Sequence, residues 1–232
     1  MLEQLKKQVL QANLDLVKNG LVIYTWGNVS AKDAQTGLVV IKPSGMDYDV
    51  MTEADMVVVN LDGKVVEGNR KPSVDLATHL ELYKSFDKIG AVAHTHSVFA
   101  TAFAQAGKPI EPYGTTHADY FYGAIPCTRP LTKKEVDGEY ELNTGKVIAH
   151  TFEQLDYNAI PSVLVGGHGV FTWGTDAHKA VYNATVTEQC AKMAYLSRSM
   201  NPDLSPISQY LLDRHYLRKH GKNATYGQGE DK

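Results

Sequence analysis

The chain has 232 residues, enough for one large domain with a full hydrophobic core, and no Pro/Gly/Ser-rich linker, charge block or repeat divides it. A net charge of −3 with both signs intermixed leaves no basic stripe of the kind a nucleic-acid binder needs, although a phosphorylated small molecule can still be held locally. The two cysteines, Cys127 and Cys190, are far apart and lack metal-type spacing, so neither a disulfide framework nor a thiolate site is suggested and both read as small core residues.

The first helix follows at once. Leu2, Leu5, Val9, Ala12 and Leu16 recur at intervals of three and four, an amphipathic pattern that Gly20 ends. This start lacks the apolar core of a signal peptide, and no later run approaches membrane-spanning length. A soluble, cytoplasmic protein is expected, with one domain over residues 1–232 and a polar tail from about 222. Leu21–Val22–Ile23 reads as a short strand, followed by a turn at Trp26–Gly27–Asn28–Val29–Ser30. Leu38–Val39–Val40–Ile41 is an apolar strand opening into Lys42–Pro43–Ser44–Gly45, a turn able to offer backbone N–H groups, a hydroxyl and an ammonium to one anion. By itself that turn is a weak signal, since most Pro-Ser-Gly turns are only turns.

Met56–Leu61 and Lys64–Glu67 flank Asp62–Gly63, the strongest hairpin signal in the chain, so the early strands are expected to pair antiparallel. Ser73 can cap a helix running to about Phe86, with Asp75 in its first turn, where the helix dipole favours an acid whatever its role. His79, one turn later, reads as a neighbour only. Ala91–Val92–Ala93 is a buried strand ending in His94–Thr95–His96, and Ser97 can cap a following helix from Val98 to Ala106. The segment from Gly114 to Gly123 is dense in polar and aromatic groups, and Thr132–Glu135 is a capping box. Ser162–Val165 is another buried strand, leading into His168 among three glycines. Thr175 or Asp176 caps a long helix to about Ser199, and a last helix runs through Ile207, Tyr210, Leu211 and Leu217.

In a strand, residues i and i+2 face the same way, about 7 Å apart. His94 and His96 therefore share a face. Two imidazoles there are either core histidines bonded to backbone or ligands of one ion, and more ligands must come from elsewhere. His168 stands at a third strand end, and the glycines around it clear bulk from a crowded site. With Asp75 these make three imidazoles and a carboxylate, a set suited to zinc, with manganese or cobalt as substitutes, though nine histidines allow many triplets.

On Thr25–Trp26–Gly27–Asn28–Val29–Ser30, Ile41–Lys42–Pro43–Ser44–Gly45, Lys71–Pro72–Ser73, His94–Thr95–His96–Ser97, Gly114 to Gly123, His215 to Gly221 and Tyr226–Gly227–Gln228, the chain resembles the class II aldolase/epimerase family, essentially end to end. The resemblance implies an α/β fold with a central, mostly antiparallel sheet flanked by helices on both sides, in a homotetramer with active sites at subunit boundaries. It implies Zn2+ on Asp75, His94, His96 and His168, and a substrate phosphate on Asn28, Lys42, Ser44, Gly45, Ser73 and Val74. Proton transfer falls on Asp119 and a neighbour's Tyr226, with Thr115, Glu141 and His215 also from the neighbour. His117 reads as packing. The implied reaction inverts C4 of a ketopentose phosphate, L-ribulose 5-phosphate to D-xylulose 5-phosphate, by cleaving and re-forming C3–C4, in arabinose or ascorbate breakdown. The alternatives are an aldolase releasing the aldehyde, for which glutamate is expected in place of Asp75, and a non-catalytic binding module of the adducin kind. One departure stands out: Val74 occupies a position where the family pattern has a second serine, which removes a hydroxyl contact to phosphate and leaves a backbone N–H.

Overall fold

The computed structural model describes residues 2–221, 224 and 225. Helix α1 (Glu3–Lys18) buries Val9, Ala12, Asn13 and Leu16 along one face. It ends in a Schellman closure, with Gly20 N–H donating to Val17 O and Leu21 N–H to Leu16 O. That closure corrects the sequence expectation for Leu21–Ile23. The Leu21 N–H is committed to ending α1, and no strand forms there. The first strand, β1 (Gly27–Lys32), instead occupies the stretch read as a turn. Asn13 ties it to α1, its amide donating to Val29 O at 3.2 Å and its Oδ1 accepting from Val29 N–H at 2.9 Å.

β2 (Val39–Ile41), β3 (Val57–Val59) and β4 (Val65–Glu67) follow, then α2 (Leu76–Ser85), β5 (Ala91–Thr95) and α3 (Val98–Gln105). The remainder is α4 (Thr115–Ala118), α5 (Lys133–Asp137), α6 (Tyr140–Thr151), β6 (Ser162–Leu164), β7 (Val170–Gly174), α7 (Ala177–Met200) and α8 (Gln209–His220). The strands form one sheet in the order β4-β3-β2-β1-β5-β7-β6, antiparallel at every pairing. The Asp62–Gly63 hairpin joins β3 and β4 as expected, with Asn60 Oδ1 accepting from the N–H groups of Asp62 and Lys64.

Strand alternation sends side chains to two cores. Val29, Ala31, Val40, Val58, Ala91 and Ala93 meet the apolar face of α1 and the alanines of α7. Val39, Ile41, Val57, Val92, Phe171 and Trp173 meet Leu76, Leu80 and Tyr83 of α2 and Ile148 of α6. Helices therefore cover both faces. Helix α6, unforeseen in the sequence, carries Gly145 at the α2 contact, where an added Cβ would lie 2.6 Å from Glu81 Cβ. A residue that weakens helix propensity is thus what lets these helices touch. Among the described residues no helix is long and apolar enough to cross a membrane.

Candidate metal centre and active site

The register fixes the first candidate ligands. His94 lies opposite Asn28 on β1 and opposite Phe171 on β7, and alternation turns it to the α2 side of the sheet. Its ring stacks on Phe171 with centroids 4.1 Å apart, and its Nδ1–H donates to Val170 O at 2.9 Å. That bond leaves Nε2 for a ligand role. His96 extends past the strand end, and its Nε2 lies 3.1 Å from His94 Nε2. His168 stands in the tight turn between β6 and β7, closed by His168 N–H to Val165 O and Val165 N–H to Gly169 O. Gly169 is required here: an added Cβ would lie 2.8 Å from Thr95 O and 3.3 Å from His94 Cε1.

The three rings form a nearly equilateral triangle, with centroids 4.8, 4.8 and 4.9 Å apart. One ligand atom from each lies within 4.8 Å of the others. Burial pushes His96 and His168 down to about 4, so both rings are neutral and keep lone pairs near pH 7. Three converging imidazoles fit a cation of borderline softness.

Asp75 sits beside them. It is the N-cap of α2 rather than a first-turn residue, and its side chain caps no N–H. The carboxylate instead accepts from Asn28 Nδ2 at 2.7 Å. Burial pushes its pKa up, but His94, His79, the Asn28 bond and His168 outweigh that, so the group is held below the usual carboxylate value. Tyr140, at the start of α6, brings its hydroxyl to 3.4 Å from His168 Nδ1. Nothing in the sequence pattern singled it out, because helix α6 itself was not legible. Glu141, implied as a neighbour's residue, follows Tyr140, and its backbone carbonyl accepts from Thr78 Oγ1.

The residues implied for phosphate are only partly gathered. Pro43 bridges Pro72, Ser44 N–H donates to Lys71 O and Ser73 N–H to Lys42 O, clasping the two turns together. Exposed Ser44 and Gly45 line a cleft with Arg70 and Lys71. Lys42 is buried, and its ammonium donates to Pro43 O and Met46 O of its own turn. Burial lowers its pKa against the pull of Asp47. Ser73 is buried, Asn28 is engaged with Asp75, and Val74 is 68% exposed.

Asp119, at the C-cap of α4, accepts from His215 Nδ1 at 3.1 Å and from Arg218 at 3.0 Å, with Lys219 Nζ 3.6 Å away. Burial pushes its carboxyl up, but the hydrogen bonds from His215 and Arg218 and the charges of Lys219 and Arg218 hold it below the usual range. His215, implied as a neighbour's residue, here contacts its own chain's Asp119. Tyr120, next in sequence, shares a cleft with Gly174 and Thr175. Gly174 pairs with Ala91, whereas His94 and His168 gather at the other end of β5 and β7. Thr115 opens α4 and is exposed. His117 donates to Gly123 O and packs edge-on against Phe121, as expected of a packing residue. Cys190 is buried and Cys127 half-buried, both as free thiols. Tyr226 lies outside the described residues.

Residues 7–195 match the family described as "Class II Aldolase and Adducin N-terminal domain". The chain is 58% identical over 227 residues to proteins named L-ribulose-5-phosphate 4-epimerase UlaF from Salmonella paratyphi C (strain RKS4594) and Salmonella typhi, covering 98% of this chain and all of each relative. Among solved structures, an L-fuculose 1-phosphate aldolase superposes with a TM-score of 0.78 at 26% identity, covering 91% of this chain and 94% of that one. An l-fuculose-1-phosphate aldolase from Thermus thermophilus, at 24% identity and a TM-score of 0.68, shares the fold over 87% of this chain and 99% of its own.

Proposed function

The chain belongs to the class II aldolase and adducin N-terminal domain family, and from that premise we propose that it interconverts L-ribulose 5-phosphate and D-xylulose 5-phosphate by inverting C4. The observation that carries the catalytic reading is the triangle of His94, His96 and His168 beside Asp75. End-to-end identity with proteins named as epimerases favours this reaction over the aldolase, and the acid at position 75 is aspartate, not the glutamate expected of an aldolase.

A C4 hydrogen is not adjacent to the carbonyl, so its removal leaves a carbanion without a resonance sink. Opening C3–C4 avoids this. A base takes the C4 hydroxyl proton, the C3–C4 electron pair moves into the ketose fragment, and C4 becomes an aldehyde. The aldehyde turns over, the bond re-forms on its other face, and an acid returns a proton to the C4 oxygen. Asp75, His94, His96 and His168 would hold Zn2+, with Mn2+ or Co2+ as substitutes. A divalent cation there supplies Lewis-acid stabilisation of the charge that cleavage places on the ketose fragment, worth several kcal/mol.

Asp119 and Tyr226 act on opposite faces of the turning aldehyde. Asp119, kept ionised by Arg218, His215 and Lys219, suits the proton-accepting role, and a phenol suits the donor. Ser44, Gly45 and Ser73, with Asn28, Lys42 and the backbone N–H of Val74, grip the phosphate and keep the aldehyde fragment bound while it rotates; releasing it would make an aldolase. Tyr120 beside Asp119 lines a cleft at the opposite end of β7 from the histidines. This supports a shared site in a homotetramer.

A coupled assay following D-xylulose 5-phosphate and free glycolaldehyde phosphate together, with and without chelator, tests the reading. Xylulose phosphate without free aldehyde, lost on chelation, is expected. Accumulating aldehyde would indicate the aldolase instead.

A further inference from the structure

Trp26 takes no part in the mechanism above, yet it stands where the metal centre and the phosphate turn meet. β1 lies between β2 and β5 in the sheet. On the β5 side Ser30 pairs with Val92 and Asn28 with His94, and the His96 N–H donates to Trp26 O at 3.3 Å, so the ladder runs past the end of β1 and sets Trp26 opposite His96. Residues facing each other across a ladder stand on the same side of the sheet, with Cβ atoms about 5 Å apart. Asn28 and Ser30 reach Asp75, His79 and Tyr83 on the α2 side, and Trp26, two positions before Asn28, falls on that side too. On the β2 side Ser30 pairs with Ile41, so the chain after Ile41, which is the turn Lys42–Gly45, runs antiparallel past Asn28 toward Trp26. Tyr48, just beyond that turn, donates its hydroxyl to Gly27 O at 2.7 Å. Trp26 thus begins between His96 and the turn assigned to phosphate.

The indole is held there. Trp26 is 53% exposed, and the ring of Tyr24 meets it edge-on with centroids 6.3 Å apart. Tyr24 has φ 52°, the left-handed region that a bulky residue enters only at a cost, and the Trp26 N–H closes the loop onto Ile23 O at 3.1 Å. Gly27 leaves no slack behind it, since an added Cβ would lie 2.6 Å from Val22 Cγ1 and 2.8 Å from His94 O. An exposed aromatic ring on a fixed backbone can meet a ligand with little further ordering.

A ketopentose phosphate with its carbonyl end at the three histidines and its phosphate at Ser44 and Gly45 must lay C4 and C5 across the end of β1, which separates the two. Hydrogens on those carbons carry slight positive charge and suit the electron-rich face of an aromatic ring. We propose that Trp26 is a substrate-contact residue that flanks C4 and C5, the half of the sugar phosphate that becomes the aldehyde and turns, and so sets affinity for the carbon chain and not for the metal. The inference rests on the reaction and the phosphate assignment proposed above.

The test uses the full chain loaded with Zn2+. It carries two tryptophans, and Trp173 is 1% exposed with its indole N–H bound to Tyr157 O, so emission that responds to a sugar phosphate comes from Trp26. L-Ribulose 5-phosphate is expected to change the emission of the wild type and to leave that of Trp26→Phe unmoved. In the epimerase assay Trp26→Ala is expected to raise KM about tenfold with kcat within about twofold, and Trp26→Phe, which keeps an aromatic face, to recover most of the loss. Zn2+ affinity by chelator competition and assembly size by sedimentation should match the wild type in both variants. An unchanged KM in Trp26→Ala overturns the proposal, as does wild-type emission indifferent to a substrate that is turned over. Weaker Zn2+ binding overturns it by making Trp26 a support for His96, and a smaller assembly does so by making it a contact between copies. A wild-type chain that neither binds nor turns over L-ribulose 5-phosphate would overturn the reaction itself and this inference with it, whereas normal turnover in every Trp26 variant removes this inference alone.

Discussion

Asn28 and Asp75, 47 positions apart, are joined by a 2.7 Å hydrogen bond from the amide of one to the carboxylate of the other. Asn28 stands opposite His94 in the sheet, so the bond links α2 to β1 at the strand register that also sets the first histidine. The family resemblance assigns Asn28 to phosphate, whereas its bond in this structure is to the acid beside the triad.

Asn28→Ala should therefore weaken Zn2+ binding about tenfold in a chelator competition, because the half-buried Asp75 loses a donor. The catalytic rate should fall in parallel. A residue acting on phosphate alone would raise KM and leave metal affinity at its wild-type value.

Arg218 and His215 govern Asp119. Removing Arg218 in Arg218→Ala leaves burial less opposed, so the Asp119 pKa rises and the acid limb of the kcat/KM profile moves to higher pH. Arg218→Lys should move it less. The side chain is about a third exposed, so the cost to stability should not exceed about 1 kcal/mol. An unmoved acid limb in Arg218→Ala would exclude Asp119 as the group that limits activity at low pH.

Four buried or half-buried histidines set the stability of the metal-free chain against pH. His96, His117 and His168 are pushed down to about 4 and His79 to about 3, chiefly by burial, from an ordinary value near 6.5. Between those values the unfolded chain binds protons that the folded chain excludes, so stability rises with pH. It is complete above about 6.5 and drains away as pH falls toward 4. Urea midpoints in the presence of chelator should drop across that window and stay level from pH 7 to 8. A level midpoint from 6.5 down to 5 would mean that these rings are not excluded from water.

Much of this was legible because it is local. The period-two spacing of His94 and His96, the Asp62–Gly63 hairpin and the Thr132–Glu135 capping box each declare themselves within a few residues, and all three appear in the structure. What escaped depends on distant partners. Leu21–Ile23 has strand composition, but its backbone is committed to ending α1. Helix α6 hides behind Gly145, whose use is visible only once α2 lies against it. The bond from His79 to Ser30 escaped because Ser30 comes from β1, 49 positions away. Lys42 was legible as a cation beside a turn, but not as one folded back onto that turn's carbonyls.

Gly169 offers the sharpest test of how tightly the triad is built. In Gly169→Ala the new methyl would meet Thr95 O at 2.8 Å, His94 Cε1 at 3.3 Å and His96 Cδ2 at 3.6 Å. The first contact is with sheet backbone, which yields little, so the turn carrying His168 must move away from β5 or the rings must tilt. Overpacking of this kind costs about 1–3 kcal/mol. The displacement falls on the geometry that brings all three ligand atoms within 4.8 Å, so metal affinity should suffer beyond the loss of stability. Thermal melting with and without Zn2+ separates the two effects. The metal-free midpoint should fall modestly, while the stabilisation added by saturating Zn2+ should shrink or vanish. An unchanged Zn2+-induced shift in a destabilised variant would show that the turn can move without disturbing the three histidines.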